Sequence, residues 1–217
     1  MDIFGSIKRF AGDIFDRPKT IEPGVYGPGG SPTGSGVGQA QQILSDIDPG
    51  LNATRETISL AEGTWDPVSQ SPDYSMRFGD QPGGGTLDIT QPHPMDTRGS
   101  GYGSGYASNA SGAYQFMAGG SAPTWQEMNN GSNAVMSPAN QDAAAERLIN
   151  ERTDYNTDEP FRDQAHELSG QWASIPNRSG RSTYGQPVKD LDDLSAFHED
   201  RLGHWERERN HDVWSRR

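Results

Sequence analysis

The sequence of 217 residues contains no cysteine. This absence excludes a disulfide framework, a thiolate zinc site and a cysteine nucleophile. Long apolar runs are missing as well, because Lys8, Arg9 and Asp13 interrupt the N-terminal stretch MDIFGSIKRFAGDIF before it reaches the length of a signal peptide or a membrane span. We therefore expect no stable membrane insertion, and a substrate outside the cytoplasm would require another component to deliver the protein.

Hydrophobic residues make up only 31% of the chain, beside 27 glycines and 15 prolines. This composition predicts a modest core with long irregular stretches, and the length allows one ordinary domain plus extensions. The formal net charge of −12 argues against nucleic-acid binding, because a polyanion would be repelled. The five histidines show no metal-ligand spacing, so we expect neither a metal nor a cofactor. His93, beside Pro94, is expected in a loop.

The N-terminus is predicted to form a docking segment, residues 1–22, joined to a tether with a short helix, residues 23–50. Residues 23–38 hold seven glycines. Within the first segment, apolar side chains recur every three or four residues and share one helical face: Ile3, Phe4, Ile7, Phe10, Ala11, Ile14 and Phe15. A helix this short cannot bury that face alone, so it packs on its own domain, a partner protein or a membrane surface. The tether favours the partner.

A further helical pattern covers residues 51–62 and ends in a glutamate. Ile58 and Ala61 share a face, and Glu62 lies four residues beyond Ile58 on the same side. Gly63 is typical of a helix C-cap. A glutamate held among apolar neighbours stays protonated near neutrality and can donate a proton to a glycosidic oxygen. The local pattern alone favours a solvent-exposed glutamate at a helix end.

The rest of the chain alternates between irregular and helical patterns. Residues 72–92 combine glycine, aromatic residues and polar alternation, which predicts a small hairpin or β-ribbon. Residues 99–112 hold five glycines and predict a mobile loop. Ser137 followed by Pro138 predicts a helix start. Helices are accordingly expected at 138–152, 160–173 and 190–208.

Six short motifs follow one another in a recognisable order: SLAEGTWD at 59–66, YSMRFGD at 74–80, His-Pro at 93–94, ASGAYQFM at 110–117, MSPANQDAAAERLINER at 136–152 and SGQWASIPNRSGRSTYGQ at 169–186. In this order and spacing the chain resembles the lambda lysozyme family of phage lytic transglycosylases over residues 51–205. The resemblance implies an α+β, lysozyme-like fold, mostly helical, with a small β-hairpin lobe and a cleft. Residues 206–217 would form a C-terminal tail.

The resemblance also implies a reaction, with Glu62 as the catalytic acid. In the family this residue protonates the oxygen between N-acetylmuramic acid and N-acetylglucosamine of peptidoglycan, and the 6-hydroxyl of the muramic acid attacks C1 to give a 1,6-anhydro product. Because no second carboxylate is needed as a nucleophile, the lack of an obvious pair is expected. Asp66 and Asp80 remain candidate partners, with turn or capping roles as the alternative.

Substrate contacts are expected, on the family's pattern, from Tyr74, Phe78, Tyr114, Gln115 and Gln186. A structural hairpin role is the alternative for Tyr74 and Phe78, and core packing is the alternative for Tyr114. Trp172 is expected in the core. Ala113 stands where family members often carry arginine, which would remove a charged contact from the groove and bears on activity more than on fold.

These features predict a virion-associated enzyme that opens peptidoglycan in the host cell wall during genome entry. Its partners would be peptidoglycan glycan strands and, through residues 1–22, other phage structural proteins. One alternative is a free endolysin that reaches the periplasm with the help of a holin. The other is a structural virion protein that keeps the fold without catalysis.

Overall fold

The computed structural model describes residues 48–94, 98–99, 107–118, 125–129, 134–153 and 159–215. The described residues form five helices: α1 (Pro49–Glu62), α2 (Trp125–Met128), α3 (Pro138–Arg152), α4 (Phe161–Leu168) and α5 (Leu191–Ser215). They also form two antiparallel strand pairs, β1 (Trp65–Asp66) with β2 (Ser71–Pro72) and β3 (Arg98–Gly99) with β4 (Ala107–Ser108). The mostly helical α+β fold class is thereby confirmed. The predictions for residues 1–47 lie outside the described residues.

Helix α1 is the central helix of the fold. Its N-terminus is capped by the Asp48 carboxylate, which accepts hydrogen bonds from the N–H groups of Gly50 at 2.9 Å and Leu51 at 3.3 Å. Pro49 occupies the first turn, where no intrahelical N–H is needed. Nearly every residue of α1 is buried, which is the pattern of a helix surrounded by other elements. The catalytic candidate at its end is therefore carried on a fixed scaffold.

Helix α5 packs along α1 through a mixed polar and aromatic interface. Arg201 pairs with Glu56 at 2.5 Å, and its guanidinium lies 5.2 Å from the ring centroid of Trp65. His198 Nε2 lies 3.1 Å from Thr54 Oγ1. Burial lowers the pKa of His198 to about 4, so this side chain is neutral at pH 7. The interface therefore contains one buried ion pair and one neutral imidazole.

Helix α3 begins at Pro138 as the sequence predicts, with Ser137 as its N-cap accepting from the Asn140 N–H at 3.4 Å. One hydrophobic core joins α1, α3, α4 and the start of α5. Its fully buried large apolar side chains are Ile58, Tyr114, Trp125, Met136, Leu148, Ile149, Leu168, Ile175 and Leu194. Trp172 is also buried, in agreement with the sequence prediction.

The expected hairpin at 72–92 is wrong, because this segment consists of turns and irregular backbone apart from Pro72 at the end of β2 and isolated bridges at Arg77 and Pro92. Asp73, Asp80 and Asp88 each accept hydrogen bonds from N–H and hydroxyl groups nearby in the chain, for example from Thr90 N at 2.9 Å to Asp88. Such local side-chain bonds compete with a strand ladder. The observed strand pairs instead precede the segment, at β1 and β2, and follow it, at β3 and β4.

The glycine-rich segment expected as a loop contains part of the second strand pair, since β3 and β4 bracket residues 100–106, which lie outside the described residues. Helix α4 ends at Leu168, earlier than the predicted 173, because Ser169 and Gly170 favour a turn over a further helical turn. Helix α5 runs on to Ser215, so no break in the helix marks the predicted tail boundary at 206.

Candidate active site

Glu62 is the last residue of α1, and the turn that follows it fixes its direction. Gly63 has φ +76°, a left-handed conformation that glycine adopts without a Cβ penalty. Its N–H donates to the Leu60 carbonyl at 3.2 Å, and the Thr64 N–H donates to the Ser59 carbonyl at 2.9 Å. The chain thus leaves the helix immediately after Glu62.

Thr64 links the C-terminal end of α1 to the turn at residues 112–116 by a hydrogen bond. The residue is buried, and its Oγ1 donates to the Ala113 carbonyl and lies 2.9 Å from Ser59 Oγ. Ala113 in turn donates its N–H to Gln141 Oε1 at 2.8 Å. The Glu-Gly-Thr motif therefore combines an acid, a glycine that forms the turn, and a buried threonine that donates a hydrogen bond to the 112–116 turn.

The surroundings of Glu62 make it a weak acid. Burial raises the pKa of Glu62 to about 7, against hydrogen bonds from the Ser174 N–H and hydroxyl and the positive charge of Lys189, all of which lower it. The Ser174 N–H lies 3.5 Å from Glu62 Oε1, a long hydrogen bond of the kind seen before a substrate binds. No carboxylate is among the causes of the raised pKa. A proton is therefore available at neutral pH on a partly accessible side chain.

Ser174 and Lys189 were not singled out from the sequence. Both belong to the segment after α4, whose Trp172 Nε1 donates to the Tyr114 carbonyl at 3.2 Å. The Lys189 N–H donates to the Ser174 carbonyl at 2.9 Å, which joins the two ends of the segment. The motif at 169–186 was the available signal for Ser174, because it contains this residue but does not show which of its members meets the acid.

Tyr74 and Tyr114, both expected to contact substrate, converge instead on one carboxylate. Their hydroxyls donate to Asp142 Oδ1 at 2.9 Å and 2.6 Å, and Arg55 Nη1 lies 3.4 Å from Asp142 Oδ2. Burial raises the pKa of both phenols. Tyr114 is 2% exposed, so for this residue the geometry favours the core-packing alternative. Tyr74 is only partly buried and packs against the same core.

The other three predicted substrate contacts are nearer the surface. Phe78 is partly buried, and its N–H donates to the Ala110 carbonyl at 2.9 Å. Gln115 has φ +49° and donates its side-chain amide to the Gly112 carbonyl at 3.0 Å. Gln186 is exposed, three residues before Lys189. All three therefore keep some surface that a ligand could reach.

Ala113 is fully buried, in contrast to a side chain that lines a groove. Its backbone is bound on both sides, by Thr64 and Gln141. A guanidinium is nevertheless present close by, because Arg55 approaches Asp142 from α1.

The candidate carboxylate partners are engaged in turns. Asp66 accepts from the Val68 N–H at 2.9 Å and the Ser69 hydroxyl at 2.8 Å, and these hydrogen bonds lower the pKa of its carboxyl group. Asp80 accepts from the Arg77 N–H at 2.9 Å and from Thr86. Both geometries fit the turn and capping roles weighed for these residues.

His93 lies in a loop, as the sequence predicts, and its side chain is buried. Its Nδ1 lies 2.7 Å from the Pro94 carbonyl oxygen and its Nε2 lies 2.8 Å from that of Phe116. It therefore ties the two segments together. The part of the chain that the structure describes holds no cluster of three potential metal-binding side chains, and none of its helices is long and apolar enough to cross a membrane.

Comparison with known proteins identifies a family and a fold. The profile of the family described as Endolysin matches residues 52–205. Among solved structures the chain is similar to bacteriophage lambda lysozyme complexed with a chitohexasaccharide, with 24% identity, a TM-score of 0.57, and coverage of 72% of this chain and 96% of that chain. At that identity the likeness shows the fold. No curated protein matches the chain.

Proposed function

The chain belongs to the endolysin family and is a lysozyme-like, peptidoglycan-degrading protein, and from this premise we propose that Glu62 is the catalytic acid in the cleavage of peptidoglycan glycan strands. The bond cleaved is the one between N-acetylmuramic acid and N-acetylglucosamine. The single observation that carries the proposal is the raised pKa of Glu62, about 7, at the end of a fixed helix. A carboxyl group that keeps its proton at neutral pH can protonate the glycosidic oxygen.

We further propose that the reaction is a lytic transglycosylation. A two-carboxylate hydrolase places its second carboxyl group within about 5–9.5 Å of the acid. Among the described residues, the two candidate carboxylates, Asp66 and Asp80, accept hydrogen bonds within turns, which favours a mechanism that uses Glu62 alone. In this reaction the Glu62 carboxyl group donates its proton to the glycosidic oxygen as the bond from that oxygen to C1 breaks. The resulting carboxylate then accepts the proton of the muramic acid 6-hydroxyl as that oxygen bonds to C1, which gives the anhydro product without water.

The test is digestion of purified sacculi by the full chain and by Glu62→Gln. We expect the substitution to lower the rate by at least about a hundredfold, the low end of what a positioned acid supplies. Mass spectrometry of the wild-type products should show 1,6-anhydro-muropeptides. Reducing muramic acid ends would instead identify a hydrolase, and equal digestion by both proteins would remove Glu62 from the mechanism.

Phe78, Gln115 and Gln186 are proposed as substrate contacts because each keeps accessible surface. Gln115 offers a clean test, since its φ of +49° suits glycine. We expect Gln115→Gly to raise KM about three- to tenfold, the loss of one hydrogen bond to a sugar, with unchanged thermal stability. A parallel fall in stability would assign Gln115 a structural role. Gln186→Ala, at an exposed position, serves as the second variant.

We also propose that the protein is carried in the virion and acts on the host cell wall during genome entry. Support comes from the sequence of residues 3–15, whose apolar face needs a partner, and from the glycine-rich segment 23–38 that follows it. Mass spectrometry of purified particles should detect the chain. Its absence from particles and presence in the lysate would favour a free endolysin.

A further inference from the structure

The Thr64 hydroxyl and the Trp172 indole bind neighbouring carbonyl groups of the 112–116 turn. Thr64 Oγ1 donates to the Ala113 carbonyl. Trp172 Nε1 donates to the carbonyl of the next residue, Tyr114, at 3.2 Å. Both donor side chains are buried. Because the two carbonyl groups belong to consecutive residues, the turn holds the two donors at a fixed separation.

Each donor lies close in the chain to one member of the hydrogen bond at the acid. Thr64 follows Glu62 by two positions, across the Gly63 turn. Trp172 precedes Ser174 by two positions, and the Ser174 N–H lies 3.5 Å from Glu62 Oε1. The 112–116 turn therefore connects the acid with its hydrogen-bond donor.

The backbone between Trp172 and Ser174 is closely constrained. The Ile175 N–H donates to the Trp172 carbonyl at 3.1 Å, which closes a turn that contains Ser174. The Ser174 carbonyl accepts from the Lys189 N–H at 2.9 Å. Ile175 is fully buried and belongs to the same core cluster as Trp172. A displacement of the Trp172 indole would therefore displace the N–H group that faces Glu62.

The 112–116 turn is itself fixed by its neighbours. Ser111 and Phe116 exchange N–H to carbonyl hydrogen bonds at 3.0 and 2.9 Å, which closes the turn. Gly112 has φ +82°, and a Cβ at this residue would lie 2.3 Å from Gln141 Oε1, so only glycine fits there. The turn can therefore act as a rigid support for the segments that bind it.

We propose that Trp172 is a positioning residue for the acid: its indole N–H, bound to the Tyr114 carbonyl, holds the Ser174 N–H against Glu62. The inference rests on the function proposed above, in which Glu62 is the catalytic acid. Trp172 itself touches neither the substrate nor the proton in this account. It acts through the turn that carries Ser174.

The direction of the expected effect follows from the surroundings of the carboxyl group. Burial raises the pKa of Glu62, and the hydrogen bonds from Ser174 lower it. Burial is the larger of these effects. Release of the turn that carries Ser174 would admit water, so it should move the pKa of Glu62 down toward its ordinary value.

The test compares Trp172→Phe with Trp125→Phe as a matched control. Both tryptophans are buried in the same core, and Trp125 Nε1 also donates to a backbone carbonyl, that of Ala134, at 3.0 Å. The Trp125 ring packs on Phe116, so the control includes a loss of packing at the 112–116 turn. We expect Trp172→Phe to lower kcat on soluble glycan strands about three- to tenfold, the scale of one lost hydrogen bond, with KM unchanged.

The pH dependence separates positioning from a loss of packing. The alkaline limb of kcat/KM, which reports the acid of the free enzyme, should move to lower pH in Trp172→Phe and stay in place in Trp125→Phe. NMR titration of the Glu62 carboxyl carbon measures the same pKa without substrate. Benzothienylalanine in place of Trp172 keeps the size of the ring and removes only the N–H, so it tests the bond if phenylalanine impairs folding.

The possible results distinguish this inference from the proposed function. If the two phenylalanine variants change the rate alike, or if the pKa of Glu62 is the same in Trp172→Phe and wild type, Trp172 is a core residue only and the role of Glu62 stands. If Glu62→Gln digests sacculi as fast as wild type while the NMR titration still shows the shift, the proposed function fails and the coupling of Trp172 to the Glu62 side chain stands.

Discussion

At Glu62 the same burial that favours catalysis works against folding at high pH. The folded pKa, about 7, lies above the ordinary value of 4.5, so folding is most favoured below that ordinary value, when the group is protonated. This stabilising contribution of the protonated Glu62 side chain is lost as pH rises through about 7. An ionised carboxylate in this position therefore costs the folded state free energy at alkaline pH.

We predict that Glu62→Gln is more stable than wild type at pH 8 by about 1–3 kcal/mol and equally stable at pH 4. The reason is that glutamine cannot ionise. Urea denaturation of both proteins at the two pH values measures the difference. A constant difference at both pH values would mean that the shifted pKa does not govern it, and Glu146→Gln, at a partly buried position on α3, is a control for removing a carboxylate elsewhere.

At the scale of single residues, the sequence predicts features that depend on neighbouring positions and misses contacts between residues that are far apart in the chain. The helix that ends at Glu62, the Gly63 cap and the Ser137 cap can be predicted locally, because helix periodicity and cap chemistry involve residues a few positions apart. The catalytic role of Glu62, in contrast, is implied by the family resemblance. Ser174 meets Glu62 across 112 positions, and no local pattern contains that distance. The two tyrosines show the same limit, since Asp142, which accepts from both, lies on α3, far from each of them in the chain.

Of the ion pairs given for the described residues, the one between α1 and α5 is the most deeply buried. The Glu56 and Arg201 side chains are 8% and 9% exposed. We predict that Arg201→Met lowers the free energy of unfolding by about 3–5 kcal/mol, because it leaves the Glu56 carboxylate buried without its partner. The paired variant Glu56→Leu with Arg201→Met should recover most of this loss. Denaturant midpoints measure both, and a paired variant as unstable as the single one would contradict this account.

Helices were easier to predict than strands for a physical reason. Helices α1 and α3 carry their caps and periodicity in their own residues. The segment 72–92 does not form the predicted hairpin because its aspartates accept hydrogen bonds from serine, threonine and glycine residues, which compete with a strand ladder. Hydrophobic periodicity does not reveal such hydrogen bonds. The two-residue strands that do pair are too short to show an alternating pattern.

For the whole molecule, the family match and the described fold begin at almost the same point, residues 52 and 48. We predict that a chain lacking residues 1–38 digests sacculi at the full-length rate, because the capped helix α1 and all residues of the site are retained. If the virion proposal is right, the same truncation should be absent from purified particles. Loss of digestion would show that the N-terminal segment takes part in catalysis, and circular dichroism would establish that the shortened chain is folded.

The position of Glu62 at the very end of α1 carries a further consequence. The C-terminal pole of a helix dipole bears partial negative charge, which disfavours a second negative charge there. The last helical turn and the glycine after it therefore influence acidity as well as direction. Fraying of that turn would admit water, make the carboxyl group more acidic and switch off proton donation at neutral pH while the remaining structure stays intact.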